Sequence, residues 1–223
     1  MKEDTSAASY GDGCADFYDE IYGPADRHLI ATLCALAGNG PVLELGVGTG
    51  RVALLLAARG VSVYGVEASD AMISKLREKP GGDRITVIPG NFATLQPAES
   101  FSLIFALVNT FFLLRSRSEQ RQCFKTVASM LSGDGAFLIE AFKPVGAQVV
   151  GNNESPDVIH VVEQVIDTRK GLQRYRAELC YLDASALDEM ARESGLRLAE
   201  RWQNWQHHRC PDNAPVHISV YVR

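Results

Sequence analysis

Residues able to do chemistry crowd into one short segment, "GPVLELGVGTGRVALLLAARGVSVYGVEASDAM", from Gly40 to Met72. It carries an acid, Glu44, then the spaced glycines Gly46, Gly48 and Gly50, then a second acid, Glu67, at the end of the next apolar run. A strand that runs through a glycine turn into a helix N-terminus brings backbone N–H groups and close main-chain contact to a ligand. Gly46 and Gly48 allow backbone conformations and approaches that a Cβ forbids. A carboxylate at the end of the second strand, where Glu67 stands, can accept both hydroxyls of a ribose. The segment therefore predicts an adenosine-like ligand at the C-terminal edge of a sheet.

The glycine spacing is not that of a dinucleotide fingerprint, and Arg51 follows the last glycine. Glu44 argues further against a pyrophosphate, whose charge it would repel. A ligand carrying an ammonium group suits it better. That favours an amino acid nucleoside over a nicotinamide cofactor.

These residues must be positioned by alternating strands and helices, which argues for an α/β sheet covered on both faces. A helix over Asp12 to Ile21 is expected first, then a second begun at Pro24 with Leu29, Ile30, Leu33, Leu36 and Ala37 inward. Strands follow at "PVLEL", "VSVYGVE", "RITVIPG", "FSLIFALV" and "AFLIEAF". Helices lie between them at 51–59 (closed by Gly60), from the Ser69 cap to about Lys79, and from a Ser118 cap to Leu131, before a "GDG" turn. The unbroken apolarity of "FSLIFALV" suits a central parallel strand. After "GAQVVGNNESPD", read as a loose loop, "VIHVVEQVID" and "LQRYRAELCYL" form a hairpin about a turn with Gly171. A helix over Ala184 to Ser194 and the strands "LRLAERWQNW" and "VHISVYVR" close the chain.

"LELGVGTG" resembles motif I of the class I S-adenosylmethionine (SAM)-dependent methyltransferases. The resemblance runs on through "VYGVEASDAM", "GNFATL", "FSLIFALVNTFFLL" and "LSGDGAFLIEAF", with "DFYDEIYG" like the N-terminal cover of small-molecule members. It implies a doubly wound, Rossmann-like sheet of seven strands in the order 3-2-1-4-5-7-6, the last antiparallel. A single domain over 1–223 is expected: a helical cover (1–38), a cofactor core (39–142), a hairpin substrate cover (146–182) and a C-terminal helix with two strands (183–223). The resemblance also implies SAM as cofactor. Glu44, Gly46 and Gly48 would surround its methionine part, and Glu67 would hold the ribose. Ala68, Met72, Asn91 and Phe92 would border the adenine, and the Leu107 backbone would face the amino group. Asn91 stands where the family commonly has Asp. Tyr18 and Tyr22 would close over the cofactor, or staple the first helix to the body.

Methyl transfer from a sulfonium needs an acceptor atom held close, on the order of 3 Å, and water excluded. A hydroxyl acceptor usually needs a general base, whereas an amine needs only to be unprotonated. Candidates for catalytic work are Asn109 after strand four, Glu140 late in strand five, and His207 before the last strand. The implied function is methylation of a small organic acceptor on O, N or C. A non-methylating use of SAM, such as a cyclisation, and a nicotinamide-dependent oxidoreductase are the alternatives.

The remaining features bound this reading. The 223 residues are 46% hydrophobic with net charge −5, so no general attraction to nucleic acid or anionic membrane is expected. The N-terminal stretch has no apolar core of a secretory signal, and no apolar run approaches the ~20 residues that span a bilayer. A cytoplasmic protein is expected. The cysteines Cys14, Cys34, Cys123, Cys180 and Cys210 never form C-x-x-C, and "HHRC" matches no structural zinc spacing, so no metal is expected. No oligomeric state is implied.

Overall fold

The computed structural model describes residues 6–95, 99–150, 157–212 and 214–223. Seven strands form the main sheet: β1 (Val42–Leu45), β2 (Val63–Glu67), β3 (Thr86–Pro89), β4 (Phe101–Ala106), β5 (Leu131–Phe142), β9 (Arg197–Trp202) and β10 (Val216–Val222). Their order is β3-β2-β1-β4-β5-β10-β9, with β10 antiparallel to both neighbours and the first five strands parallel. This is the expected seven-strand order. The crevice for a ligand in such a sheet lies beyond the C-terminal strand ends where β1 separates β2 from β4.

Side-chain alternation divides the core between the two faces. Leu43, Ile104, Phe137 and Ile139 pack under α6 (Arg117–Met130) and α7 (Ala184–Glu193). Val42, Leu103, Phe105 and Leu138 pack under α3 (Arg27–Ala37), α4 (Ala53–Ala57) and Leu76 of α5 (Asp70–Glu78). By this parity Glu44 and Glu140 fall on the second face.

Local chemistry sets the element ends, and several differ from the sequence expectation. The first helix is two, α1 (Ser6–Cys14) and α2 (Tyr18–Tyr22), because Cys14, Ala15 and Phe17 turn inward against Met72 and Tyr175. The next begins at Arg27 rather than Pro24, since Asp26 caps it by accepting from His28 N–H at 2.7 Å. α6 is capped by Ser116, not Ser118: Ser116 Oγ accepts from Glu119 N–H at 3.1 Å. The "GDG" turn lies inside β5, as an irregularity where the β4 register steps from Phe101↔Leu131 to Leu103↔Ala136.

The expected hairpin is β7 (Ile159–Thr168) with β8 (Gly171–Leu179). A further strand, β6 (Gln148–Val150), joins it from the stretch expected as loop, giving a separate sheet of order β6-β7-β8. Backbone pairing to β7 outweighs the Gly and Asn content around it. Residues 151–156 of that expected loop lie outside the described residues. No helix among the described residues is long and apolar enough to cross a membrane.

Candidate active site

The glycine turn closes on Glu67. Gly46 and Val47 donate their N–H groups to Val66 C=O at 2.8 and 3.0 Å, and Gly48 N–H reaches Glu67 Oε2 at 2.8 Å. The other oxygen of Glu67 accepts from Ala68 and Ser69 N–H, both at 2.9 Å. Three backbone donors thus fix a carboxylate at the mouth of β2. Burial raises the pKa of Glu67, and those three donors oppose the rise. Gly46 and Gly48 have φ of +73° and +54°, a region that costs other L-residues roughly 1–2 kcal/mol. A Cβ on Gly46 would run into Thr110 Cγ2.

Above this edge lies a cavity of about 410 Å³. Eight of the residues expected around the cofactor line it: Tyr18, Gly46, Gly48, Glu67, Ala68, Met72, Asn91 and Phe92. Asn91 caps the turn Phe92–Thr94 through Oδ1, which accepts from Ala93 N–H at 2.8 Å. Its amide therefore has its NH₂ side left to offer a ligand. Thr110, which follows strand four where an acceptor is expected, lines the same cavity, and so do Tyr10, Leu113 and Arg115, which sequence reasoning missed. Their only signal was position, in the N-terminal cover and just after strand four.

Three expected cofactor residues lie outside that lining: Glu44, Leu107 and Tyr22. Glu44 sits beneath the glycine turn, 5% exposed, and its Oε2 has no hydrogen-bond partner. Burial pushes its pKa up to about 8, opposed by the nearby Arg51 guanidinium and helped by Glu67. Leu107 is buried and its C=O accepts from Thr110 N–H at 3.0 Å. Arg51, given no role by the sequence reading, stands 5.9 Å from the Tyr22 ring centre and opposes the raised pKa of both Glu44 and Glu140.

A second chamber of about 360 Å³ adjoins the first. Tyr10, Tyr18, Thr110 and Leu113 line both. Its roof is the inner face of the three-stranded sheet, with Val162, Gln164, Tyr175, Ala177 and Leu179. Tyr22 lines this chamber rather than the first. Its hydroxyl meets that of Tyr10 at 3.0 Å, and its ring packs on Tyr18 at 4.7 Å. Burial raises the pKa of Tyr10, Tyr18, Tyr22 and Tyr175. These phenols are protonated at neutral pH and donate rather than accept protons.

The three expected catalytic residues are not gathered around one reacting point. Asn109 lines the second chamber, but its amide is clasped to β5: Nδ2 donates to Phe142 C=O at 3.0 Å and Oδ1 accepts from Phe142 N–H at 2.7 Å. Glu140 lines neither chamber. Its Oε1 accepts from Trp205 Nε1 at 2.8 Å and its Oε2 from Val108 N–H at 3.1 Å. Burial raises its pKa, and both donors oppose that. His207 is turned away: it stacks on Trp202 at 3.9 Å and bonds Thr32 Oγ1 at 2.9 Å. It occupies a turn at φ +60°, so strand alternation does not aim it. Among the described residues no group of three or more His, Cys, Asp and Glu is placed to hold a metal.

Between β4 and the turn Thr110–Leu113 the backbone is strained. Val108 and Asn109 have φ of +52° and +61° in succession. Asn tolerates this region, but a β-branched residue there is an outlier costing on the order of 1–3 kcal/mol.

The fold, the glycine turn and the acid at the end of β2 have the plan of a nucleoside-binding protein of the doubly wound kind. Residues 42–135 match a family described as a methyltransferase domain. The CcbJ methyltransferase from Streptomyces caelestis superposes with a TM-score of 0.81 at 33% identity, over 97% of this chain and 98% of that one. The cypemycin N-terminal methyltransferase from Streptomyces is 30% identical over 112 residues, 50% of this chain and 46% of it. That alignment spans less than half the relative's length, and two other curated relatives are matched over 40% and 41% of theirs. The glycopeptide N-methyltransferase MtfA, solved with SAM, shares the fold with a TM-score of 0.65 at 18% identity, over 92% of this chain and 89% of that one. The chain belongs to the class I SAM-dependent methyltransferases. The nicotinamide alternative is thereby set aside.

The residues fit SAM. The orphaned Glu44 oxygen suits an ammonium, the Glu67 carboxylate has acceptor capacity left for a diol, and the turn at Gly46 and Gly48 leaves the room that side chains would fill.

Proposed function

We propose that this protein transfers a methyl group from SAM to the nitrogen of a small organic amine held in the second chamber. The carrying observation is the make-up of that chamber. It shares a wall with the cofactor cavity at Tyr10, Tyr18, Thr110 and Leu113, and among its described lining residues there is no carboxylate and no imidazole. Bound SAM supplies a methyl carbon already activated by a positive sulfur. The chain's own work is then to orient the acceptor and exclude water. Glu67 and Glu44 hold the donor, the tyrosines and the inner face of the small sheet enclose the acceptor, and Thr110 separates them.

A hydroxyl acceptor would need a base, and the phenols here are held protonated. A neutral amine brings its own lone pair. The cypemycin relative's name, an N-terminal methyltransferase, is in keeping with this. The enclosed, half-apolar chamber favours a small molecule over a protein or a duplex.

The test is S-adenosylhomocysteine release across matched panels of amines, alcohols and phenols, with products weighed by mass spectrometry. Amine products gaining one methyl, at rates that rise with pH as the amine deprotonates, support the reading. Turnover confined to hydroxyl acceptors overturns it, and so does SAM consumed without methylated product.

A further inference from the structure

Val108 is β-branched, yet it lies in left-handed backbone space and is followed by Asn109 in the same region. Thr110 N–H closes on Leu107 C=O at 3.0 Å, so residues 107–110 make a tight turn with both central φ positive. Glycine, Asn and Asp dominate turns of that shape. Asn109 satisfies the preference and Val108 violates it. A violation of this kind persists only where the surroundings over-determine it.

The surroundings are specific. Glu140 grips the turn twice, through Oε2 to Val108 N–H at 3.1 Å and through its own C=O to Asn109 N–H at 3.3 Å. The Asn109 amide is clasped to Phe142 on the same strand. Trp205, in the segment between β9 and β10, donates to the remaining Glu140 oxygen at 2.8 Å and is 9% exposed. Neither Glu140 nor Trp205 lines a chamber. The turn they hold does: Val108 and Asn109 face the second chamber, and Thr110 faces both and packs against Gly46.

We propose that Glu140 and Trp205 are positioning residues for methyl transfer, holding a strained Val108–Asn109 turn as the partition that sets the gap between donor and acceptor. The proposal rests on reading the two cavities as cofactor and acceptor sites. It assigns Glu140 no proton transfer. A shift of one ångström in such a wall is enough to change a transfer rate by roughly a hundredfold.

Glycine needs no restraint to adopt left-handed backbone. Replacing Val108 by Gly therefore removes the need for the grip, and this makes the test. S-adenosylhomocysteine is titrated calorimetrically into the wild type, Glu140→Leu, Trp205→Phe, Val108→Gly, and each of the first two variants combined with Val108→Gly. Glu140→Leu is expected to weaken binding by roughly tenfold or more, the size of a lost charged hydrogen bond. Trp205→Phe weakens it less. Val108→Gly restores each to within about threefold of wild type, because the turn then forms unaided. A general structural defect would not be repaired by one glycine at the far end of a hydrogen bond. Folded variants (by thermal melting) that bind like wild type, or that stay weak when combined with Val108→Gly, overturn the proposal. If Glu140→Leu does not fold, the Trp205→Phe pair carries the test. A wild type that binds neither SAM nor S-adenosylhomocysteine overturns the cofactor reading, and this one with it.

Discussion

Gly48 and Glu67 are joined by a 2.8 Å hydrogen bond from the glycine N–H to Oε2 of the acid. The bond cinches the turn after β1 to the end of β2. The carboxylate is thus pre-aimed before any ligand arrives, and its position does not depend on a flexible side chain finding a partner. Glu67→Gln keeps the shape but turns one of the two acceptor oxygens into a donor facing backbone N–H groups. Binding of SAM and S-adenosylhomocysteine is expected to weaken roughly 10- to 100-fold, measured by calorimetry, from a loss of about 1.5–3 kcal/mol.

Glu44 makes the empty protein pH-sensitive. Burial raises it from 4.5 to about 8, so between those values the folded chain keeps a proton that the unfolded chain has released. The stability this gives is complete below the unfolded value and is lost as pH rises through the folded one. The thermal midpoint of the ligand-free protein is expected to fall between about pH 5 and 8, more steeply than that of Glu44→Gln. An ammonium bound beside Glu44 favours the ionised form. Binding near pH 7 should therefore release a proton, read as an enthalpy that varies with the buffer's heat of ionisation. Glu44→Gln should remove that release.

Gly46 permits two things that alanine forbids, a φ of +73° and contact with Thr110. Gly46→Ala is expected to lose about 1–2 kcal/mol on conformation alone, more with the clash, and to abolish SAM binding. Thr110→Ser removes the clashing methyl. Added to Gly46→Ala it should recover part of the loss in urea unfolding, and not the conformational part.

Ion pairs tie the N-terminal cover to both the core and the tip of the small sheet. Asp16 meets Lys75 at 2.8 Å and Lys170 at 3.3 Å. Asp19 meets Lys79 at 2.5 Å and accepts from Thr49 Oγ1 at 2.6 Å. Asp16 is held below its usual carboxylate range by hydrogen bonds from Lys75 and then Lys170. Exposed pairs of this kind add little stability, and they weaken with salt. Asp16→Asn is expected to speed release of S-adenosylhomocysteine a fewfold at low salt, by stopped-flow fluorescence. The difference should vanish near 1 M NaCl, where the screening length is about 3 Å.

Much of this site could be read in one dimension because its residues lie close along the chain. Glu44, Gly46, Gly48 and Glu67 sit on one strand–turn–helix–strand unit, and local rules place them. Unbroken apolarity correctly set β4 in the middle of the sheet, buried from Leu103 to Ala106. The misses come from distance. Tyr10 matters only because α1 crosses the sheet edge, where its ring meets Tyr175 at 6.3 Å. Trp205 matters only because β10 inserts between β5 and β9 and brings the preceding segment to Glu140. Glu140 and His207 are expected as catalytic residues from residue type and place along the strand order. Each instead has partners contributed by segments far away in sequence, Trp205 and Val108 for one, Thr32 for the other. Asn109 had a legible signal for a left-handed turn; Val108 beside it had none.

The roof of the second chamber has a consequence of its own. Gln164 and Tyr175 are direct cross-strand partners, as are Val162 and Ala177, and all four face the chamber. The intervening Glu163, Arg174, Arg176 and Glu178 lie on the other face, with Arg176 pairing to both acids. The two-residue turn after Thr168 and the alternating pattern carry the register, so inward residues can be exchanged for others of similar character without unmaking the small sheet. A lineage built on this plan can change which molecule it modifies by exchanging alternate residues on two strands. Such exchanges leave Glu44, the glycine turn and Glu67, about a hundred residues earlier in the chain, untouched.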